Sequence, residues 1–189
     1  MFIQTEETPN PATLKFIPGK TLLAKGTLEF KSPEEATTNS LASKLFADAN
    51  VKGVFIGKDF LTVTKSESVE WEILKPTLLS SILDYFSSGG EIENFDLETN
   101  VEVKKIKYSK KDQEIVNKIN ELLEERIKPA VAQDGGDINF VKLQKGIVFL
   151  ELRGACSGCP SSTITLKSGI ENMLKYYIPE IQSVEAINQ

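Results

Sequence analysis

The residues with the clearest chemical capacity are Cys156 and Cys159, the chain's two cysteines, in the run Leu152-Arg153-Gly154-Ala155-Cys156-Ser157-Gly158-Cys159-Pro160-Ser161-Ser162. A Cys-x-x-Cys loop can aim both sulfurs at one point. The Ser157-Gly158 middle lets the backbone turn tightly and leaves amide donors to face the sulfurs. Pro160 suits the first position of a following helix, which makes Cys159 or a neighbour its cap. The positive end of a helix dipole favours thiolate over thiol, and thiolate is the form that ligates soft metals. The loop therefore reads as a metal or redox site.

Ligand counting narrows the choice. Iron-sulfur clusters and all-cysteine zinc sites need four thiolates. This chain offers two and has no histidine to add. Two copies meeting across a two-fold axis would supply four sulfurs from identical loops, an isologous contact. A cluster held in that way lies at a small interface and is lost more readily than one enclosed by a single chain. That property suits a carrier that hands its cluster on. Three other readings fit the same residues. A zinc-bridged dimer uses the same count. A dithiol oxidoreductase also places Cys-x-x-Cys at a helix start, although within a βαβ pattern, whereas this loop follows a β-hairpin. Structural or idle thiols would want apolar cover, which Gly154, Ser157 and Gly158 supply poorly.

Neighbouring residues read more plainly. Asp134-Gly135-Gly136-Asp137 could be an acidic metal site, but paired glycines point to positive φ in a helix-to-strand turn that Asp caps. Arg153 reads as a solvated strand end rather than a group that lowers the thiol pKa. Trp71 reads as a core residue or the start of a helix. Thr8-Pro9-Asn10-Pro11 reads as a rigid structural loop.

Composition sets limits on the function. The 189 residues, 40% hydrophobic and 26% charged, are typical of globular chains and allow two small domains. A net charge of -5 disfavours nucleic acid as the main partner. Absence of histidine excludes Ser-His-Asp and Cys-His catalytic pairs. No run approaches the ~20 apolar residues that span a bilayer, and no charged-then-apolar leader opens the sequence, so no membrane role is expected.

The elements that must position the cysteines follow from periodicity. Short strands are expected at Phe2–Thr5, Thr13–Ile17 and Thr27–Phe30, then helical pieces from Ser32-Pro33 to about Ala47. A hairpin joins Val51–Ile56 to Phe60–Thr64. Leu74, Leu78, Ile82 and Tyr85 mark a helix in which Pro76 is tolerable only in the first turn. Residues 1–88 form a first domain, 89–110 an exposed linker (with a short strand near Val101–Val103), and 111–189 a second domain. That second domain opens with a helix from Asp112 to about Ile127, its stripe Val116, Ile119, Leu123 and Ile127, loosened or ended by Pro129. A hairpin, Ile138–Leu143 and Ile147–Leu152, leads into the cysteine loop. A helix with stripe Leu166, Ile170, Met173, Leu174 and Tyr177 follows, then an extended run to Ile187. The fold class is α+β: two small two-layer domains, the second ordered α-β-β-α-β.

Gly135-Gly136-Asp137, the Gly154 to Ser162 run and Thr165-Leu166-Lys167-Ser168-Gly169-Ile170 closely resemble the NifU-like C-terminal domain. Met1-Phe2-Ile3-Gln4-Thr5, Thr8-Pro9-Asn10-Pro11 and Leu14-Lys15-Phe16 resemble the N-terminal domain that accompanies it in Nfu-type iron-sulfur scaffold or carrier proteins. The resemblance implies a non-enzymatic carrier. It implies a [4Fe-4S] cluster, with [2Fe-2S] the alternative, held by Cys156 and Cys159 of each of two subunits. It implies transfer to apo-proteins, lipoate-synthesising and aconitase-type enzymes among them, and upstream assembly factors as donors. The first domain would serve partner docking or control of assembly. The expected setting is a bacterial cytoplasm, or the mitochondrial matrix for a mature organellar form.

Overall fold

The computed structural model describes residues 2–92, 106, 108–157 and 160–187, for residues 160–162 the backbone alone. The chain divides into two compact units, Met1–Phe95 and Asp96–Gln189.

In the first unit, strands β1 (Gln4–Glu7), β2 (Thr13–Ile17), β3 (Leu28–Phe30), β4 (Val51–Ile56) and β5 (Leu61–Lys65) form an antiparallel sheet in the order β1-β2-β5-β4-β3. Apolar residues alternating along β2, β4 and β5 (Leu14, Phe16, Val54, Ile56, Leu61, Val63) turn to one face. Helices α1 (Ser40–Phe46) and α2 (Trp71–Ser87) cover that face through Leu41, Leu45, Leu74, Leu78 and Ile82, all buried. Each such side chain is worth about 1.5–3 kcal/mol of burial. β1 starts later than expected and takes in Glu6 and Glu7, because Glu6 pairs with Lys15 across the ladder and the two side chains form an ion pair at 3.4 Å. Pro76 lies beyond the first turn, since α2 already begins at Trp71. The buried Leu74–Leu78–Ile82 stripe outweighs the backbone bond the proline cannot make.

The second unit builds the frame around Cys156. Helix α3 (Lys110–Leu122) is capped by Ser109, whose hydroxyl accepts from the Asp112 amide at 3.1 Å. The Tyr108 hydroxyl accepts from the Leu143 amide at 3.1 Å, which ties the residues before α3 to the sheet. The helix does not stop at Pro129. It widens into a π-helical turn over Leu123–Ile127 and continues as α4 (Lys128–Gln133). Proline removes one amide from the ladder, and the wider turn absorbs that loss while Leu123, Ile127 and Val131 stay buried. Strands β6 (Gly136–Gln144) and β7 (Ile147–Gly154) are antiparallel, joined by a turn with positive φ at Lys145 and Gly146. Helix α5 (Pro160–Tyr177) then returns the chain to β8 (Ser183–Ile187), which pairs parallel with β7. The sheet order is β6-β7-β8 and the element order α-β-β-α-β, as expected.

Two expectations for this unit need correction. The cysteine loop does lie within a βαβ unit, β7–α5–β8, so its context no longer separates a cluster carrier from a dithiol enzyme. Tyr177, expected in the apolar stripe of α5, is 44% exposed, and its ring stacks under the Arg126 guanidinium at 5.1 Å instead. The expected linker strand at Val101–Val103 lies outside the described residues. Among the described residues, no helix is long and apolar enough to cross a membrane.

Candidate functional site

β7 delivers Cys156 to the site, and the α4–β6 turn receives it. β7 ends at Gly154, whose φ of 65° lies in the left-handed region that side chains resist. A tight turn follows. The Ser157 amide and hydroxyl both donate to the Gly154 carbonyl, at 3.1 and 2.9 Å, and the Ala155 amide donates to the Gly135 carbonyl at 3.1 Å. The first turn of α5 holds the loop from the other side: the Thr163 hydroxyl donates to the Cys156 carbonyl at 3.1 Å. The Ser157 amide is thus engaged in the turn rather than presented to a sulfur, contrary to expectation.

The two glycines between α4 and β6 have different physical reasons. Gly135 adopts φ 81°, the turn-forming conformation expected of it. Gly136 does not. It opens β6 opposite Gly154, and a Cβ built on it would stand 2.6 Å from Cys156 Sγ and 2.7 Å from the Arg153 carbonyl oxygen. Gly136 is therefore glycine because the sulfur occupies the space. This role was invisible in the sequence, where neighbouring glycines look alike; Gly136 is brought to the sulfur only by the register that sets it opposite Gly154.

Cys156 is 5% exposed and belongs to the buried core of the second unit, as do Ile138, Leu152 and Ile170. The loop thus has apolar cover at Cys156 that its flanking residues did not suggest. Burial, and then the carboxylates of Asp134 and Asp137, push the thiol up to about 12. The expected stabilisation of thiolate by a helix start does not govern Cys156. Arg153 does not offset the carboxylates either, because its guanidinium is paired with Glu151 at 2.9 Å, both side chains largely buried. It is an ion-paired strand residue rather than a solvated end. Cys159 lies outside the described residues.

The shifted thiol has measurable consequences. In metal-free protein carrying Cys159→Ser, alkylation of Cys156 at pH 8 should run more than about tenfold slower than for an ordinary thiol, because the lower thiolate fraction outweighs the greater nucleophilicity of a high-pKa thiolate. Asp134→Asn should speed it. Because the folded chain holds this proton more tightly than the unfolded chain, the stabilisation is complete below about pH 9 and is lost as pH climbs towards about 12. Urea midpoints across that range provide the second measurement.

Asp134, in the turn, and Asp137, at the start of β6, act on the sulfur as carboxylates. Among the described residues, no group of three or more acidic, cysteine or histidine side chains could hold a metal ion. The donor set that remains is soft sulfur, one thiol being described, in a glycine-bounded recess. Those residues fit a thiophilic metal or cluster better than a hard cation.

The first unit offers a different surface. The Thr8–Pro11 loop is internally bonded: the Thr8 hydroxyl lies 2.9 Å from the carbonyls of Asn10 and Thr13, and the Asn10 side chain accepts from the Ala12 amide at 3.0 Å. Trp71 begins α2 and donates its indole N–H to the Pro11 carbonyl at 3.0 Å. Thr8, Pro9, Pro11, Thr13 and Trp71 border an open cleft of about 610 Å³ that also meets Glu7 and Lys75.

Comparison with known proteins joins these units to two families. The family described as the scaffold protein Nfu/NifU N-terminal domain matches residues 3–89, and the NifU-like domain matches residues 119–185. A human protein named NFU1 iron-sulfur cluster scaffold homolog, mitochondrial, is 48% identical over 188 residues, covering 99% of this chain and 72% of that protein. A relative of the same name from Drosophila sechellia is 47% identical, and the chain spans 65% of its length. A NifU-like protein from Saccharomyces cerevisiae, solved by NMR, is 27% identical with a TM-score of 0.46, covering 50% of this chain and 87% of that one. With both domains matched in order and such identity along nearly its whole length, the chain belongs to the Nfu family of iron-sulfur cluster scaffold proteins.

Proposed function

We propose that the protein is a carrier that holds an iron-sulfur cluster between two copies of itself through Cys156 and Cys159, and passes it to apo-proteins without being an enzyme. The observation that carries this reading is the thiol count. Each chain has two cysteines and no histidine, half of what a cluster needs, and the family is one of cluster scaffolds. The cargo is [4Fe-4S], with [2Fe-2S] the alternative. Transfer proceeds by stepwise exchange: a client thiol loses its proton and binds iron as thiolate, and the displaced cysteine leaves as thiolate. For Cys156, burial and two carboxylates make the released thiolate take up a proton readily. Reprotonation favours the unloaded state, a property suited to donation.

That same thiol weakens the case for a dithiol enzyme, whose attacking cysteine works with a lowered pKa. The names of the relatives favour a mitochondrial setting over a bacterial cytoplasm. The first domain, with its cleft beside Trp71, serves partner docking or control of assembly.

The test is anaerobic reconstitution with iron and sulfide, read by visible absorption, iron content and solution mass. About four irons per dimer would support the carrier. Zinc at one per two chains in a colourless dimer would indicate the structural alternative, and turnover of a disulfide substrate by the metal-free monomer the redox one. The proposed domain limits make a further prediction. A chain lacking residues 1–88 should fold and load a cluster, because both cysteines lie after the linker and the second unit has its own core. Failure of that fragment to load while the full chain does would give the first domain a part in shaping the site.

A further inference from the structure

The exposed side of α5 next to the cysteine loop carries no charge. Ile164, Thr165, Ser168, Gly169 and Asn172 are all exposed. Ile164 is 66% exposed although it is one of the chain's large aliphatic residues. The charged residues of this helix stand aside and are engaged: Lys167 with Glu185 at 2.8 Å, and Lys175 with Glu171 at 2.6 Å. Glu171 also accepts from the Val184 amide at 2.9 Å, which fastens α5 to β8. In a chain that is 26% charged, about two and a half helical turns of exposed surface without a charge need a reason. Gly169 adds that nothing lies within 4 Å of where its Cβ would be, so the face is open to close approach.

We propose that this uncharged face of α5 is the surface on which a second copy of the chain seats when a cluster joins two cysteine loops, with the two Ile164 side chains meeting at the two-fold axis. The inference rests on the bridged-cluster reading above and names the protein contact that accompanies it. Thr163, the residue before Ile164, is bonded to the Cys156 carbonyl, so whatever shares a cluster with this loop must approach the first turn of α5. The occupant follows from symmetry. In an isologous contact a residue near the axis faces its own copy, where any charge would meet a like charge. An apolar residue amid small neutral ones satisfies that constraint. A client of different sequence would impose no such requirement.

The experiment uses the full chain, reconstituted anaerobically with iron and sulfide, and reads iron per chain and solution mass. Ile164→Asp should leave the metal-free protein folded with an unchanged melting temperature, since the side chain is exposed. It should weaken the loaded dimer about tenfold or more, because like charges then oppose across the axis. Ile164→Lys should do the same, and an equal mixture of the two variants should recover loading and dimer mass. Ile164→Val should behave as wild type. Equal dimer strength in wild type and Ile164→Asp would overturn the proposal. So would a loss that the mixture does not repair, because Ile164 would then act within its own chain. A wild-type protein that loads its cluster as a monomer would instead overturn the bridged reading itself.

Discussion

Replacing Cys156 with Ser is expected to reduce reconstituted iron to background and to leave the protein monomeric under loading conditions, with both units still folded. The separation of these effects follows from the site. Sulfur supplies the soft ligand, and a hydroxyl cannot replace it at neutral pH. The fold depends little on the sulfur itself, because Ile138, Val148, Leu150, Leu152, Ile170 and Leu174 belong to the same buried core. Burying a hydroxyl in its place should cost about 1–2 kcal/mol if it finds no partner. Cys156→Ala avoids that penalty and serves as the control: it should lose iron equally while staying closer to wild-type stability. Cys159→Ser should lose iron in the same way. Undiminished cluster in the double variant would rule out the proposed ligands and return the Asp134–Asp137 turn to consideration.

The expected loss should also depend on pH in the wild type. Loading exchanges the Cys156 proton for iron, and the folded chain holds that proton tightly. Retention of cluster should therefore improve as pH rises from 7 to 9. Asp134→Asn, which removes one of the two carboxylates acting on the thiol, should shift that dependence towards lower pH.

How much of this was legible in the sequence depends on the range of the interaction involved. The Val51–Ile56 and Ile147–Leu152 hairpins, and the Val116–Ile119–Leu123–Ile127 stripe, were legible because periodicity and turn residues encode them locally. The Cys-x-x-Cys motif was legible for the same reason. Pairings between distant residues were not. β8 could be seen as extended, but its parallel alignment with β7 is decided by α5 returning the chain across the sheet. Whether Pro129 would loosen or end the α3–α4 helix was left open by the sequence, because the outcome depends on a π-helical turn and the burial of Val131 that compensate for what proline removes. The electrostatics of Cys156 were misread for a related reason. The helix start is near in sequence, whereas the carboxylates of Asp134 and Asp137 reach the sulfur only once β6 and β7 pair.

That same pairing makes Gly136 a demanding position beside Cys156. Gly136→Ala should destabilise the metal-free protein by about 1–3 kcal/mol and sharply reduce cluster loading. The backbone conformation is not the obstacle, since Gly136 is not among the residues with positive φ. Space is. The new methyl would sit 2.6 Å from Cys156 Sγ and 2.7 Å from the Arg153 carbonyl. The sulfur could rotate away, but then it would leave the position from which it is proposed to bind. The carbonyl belongs to β7 opposite β6 and cannot withdraw without opening the ladder at Asp137–Arg153. Relief at either contact therefore disturbs the site. Gly169→Ala provides the contrast, because the space there is open and the helix gains about 1 kcal/mol from alanine. The metal-free Gly169→Ala protein should melt higher than wild type while Gly136→Ala melts lower. If Gly136→Ala instead keeps wild-type stability and iron content, the sulfur has more freedom than this packing allows, and the position of Cys156 must be set by the α5 side of the loop, through Thr163.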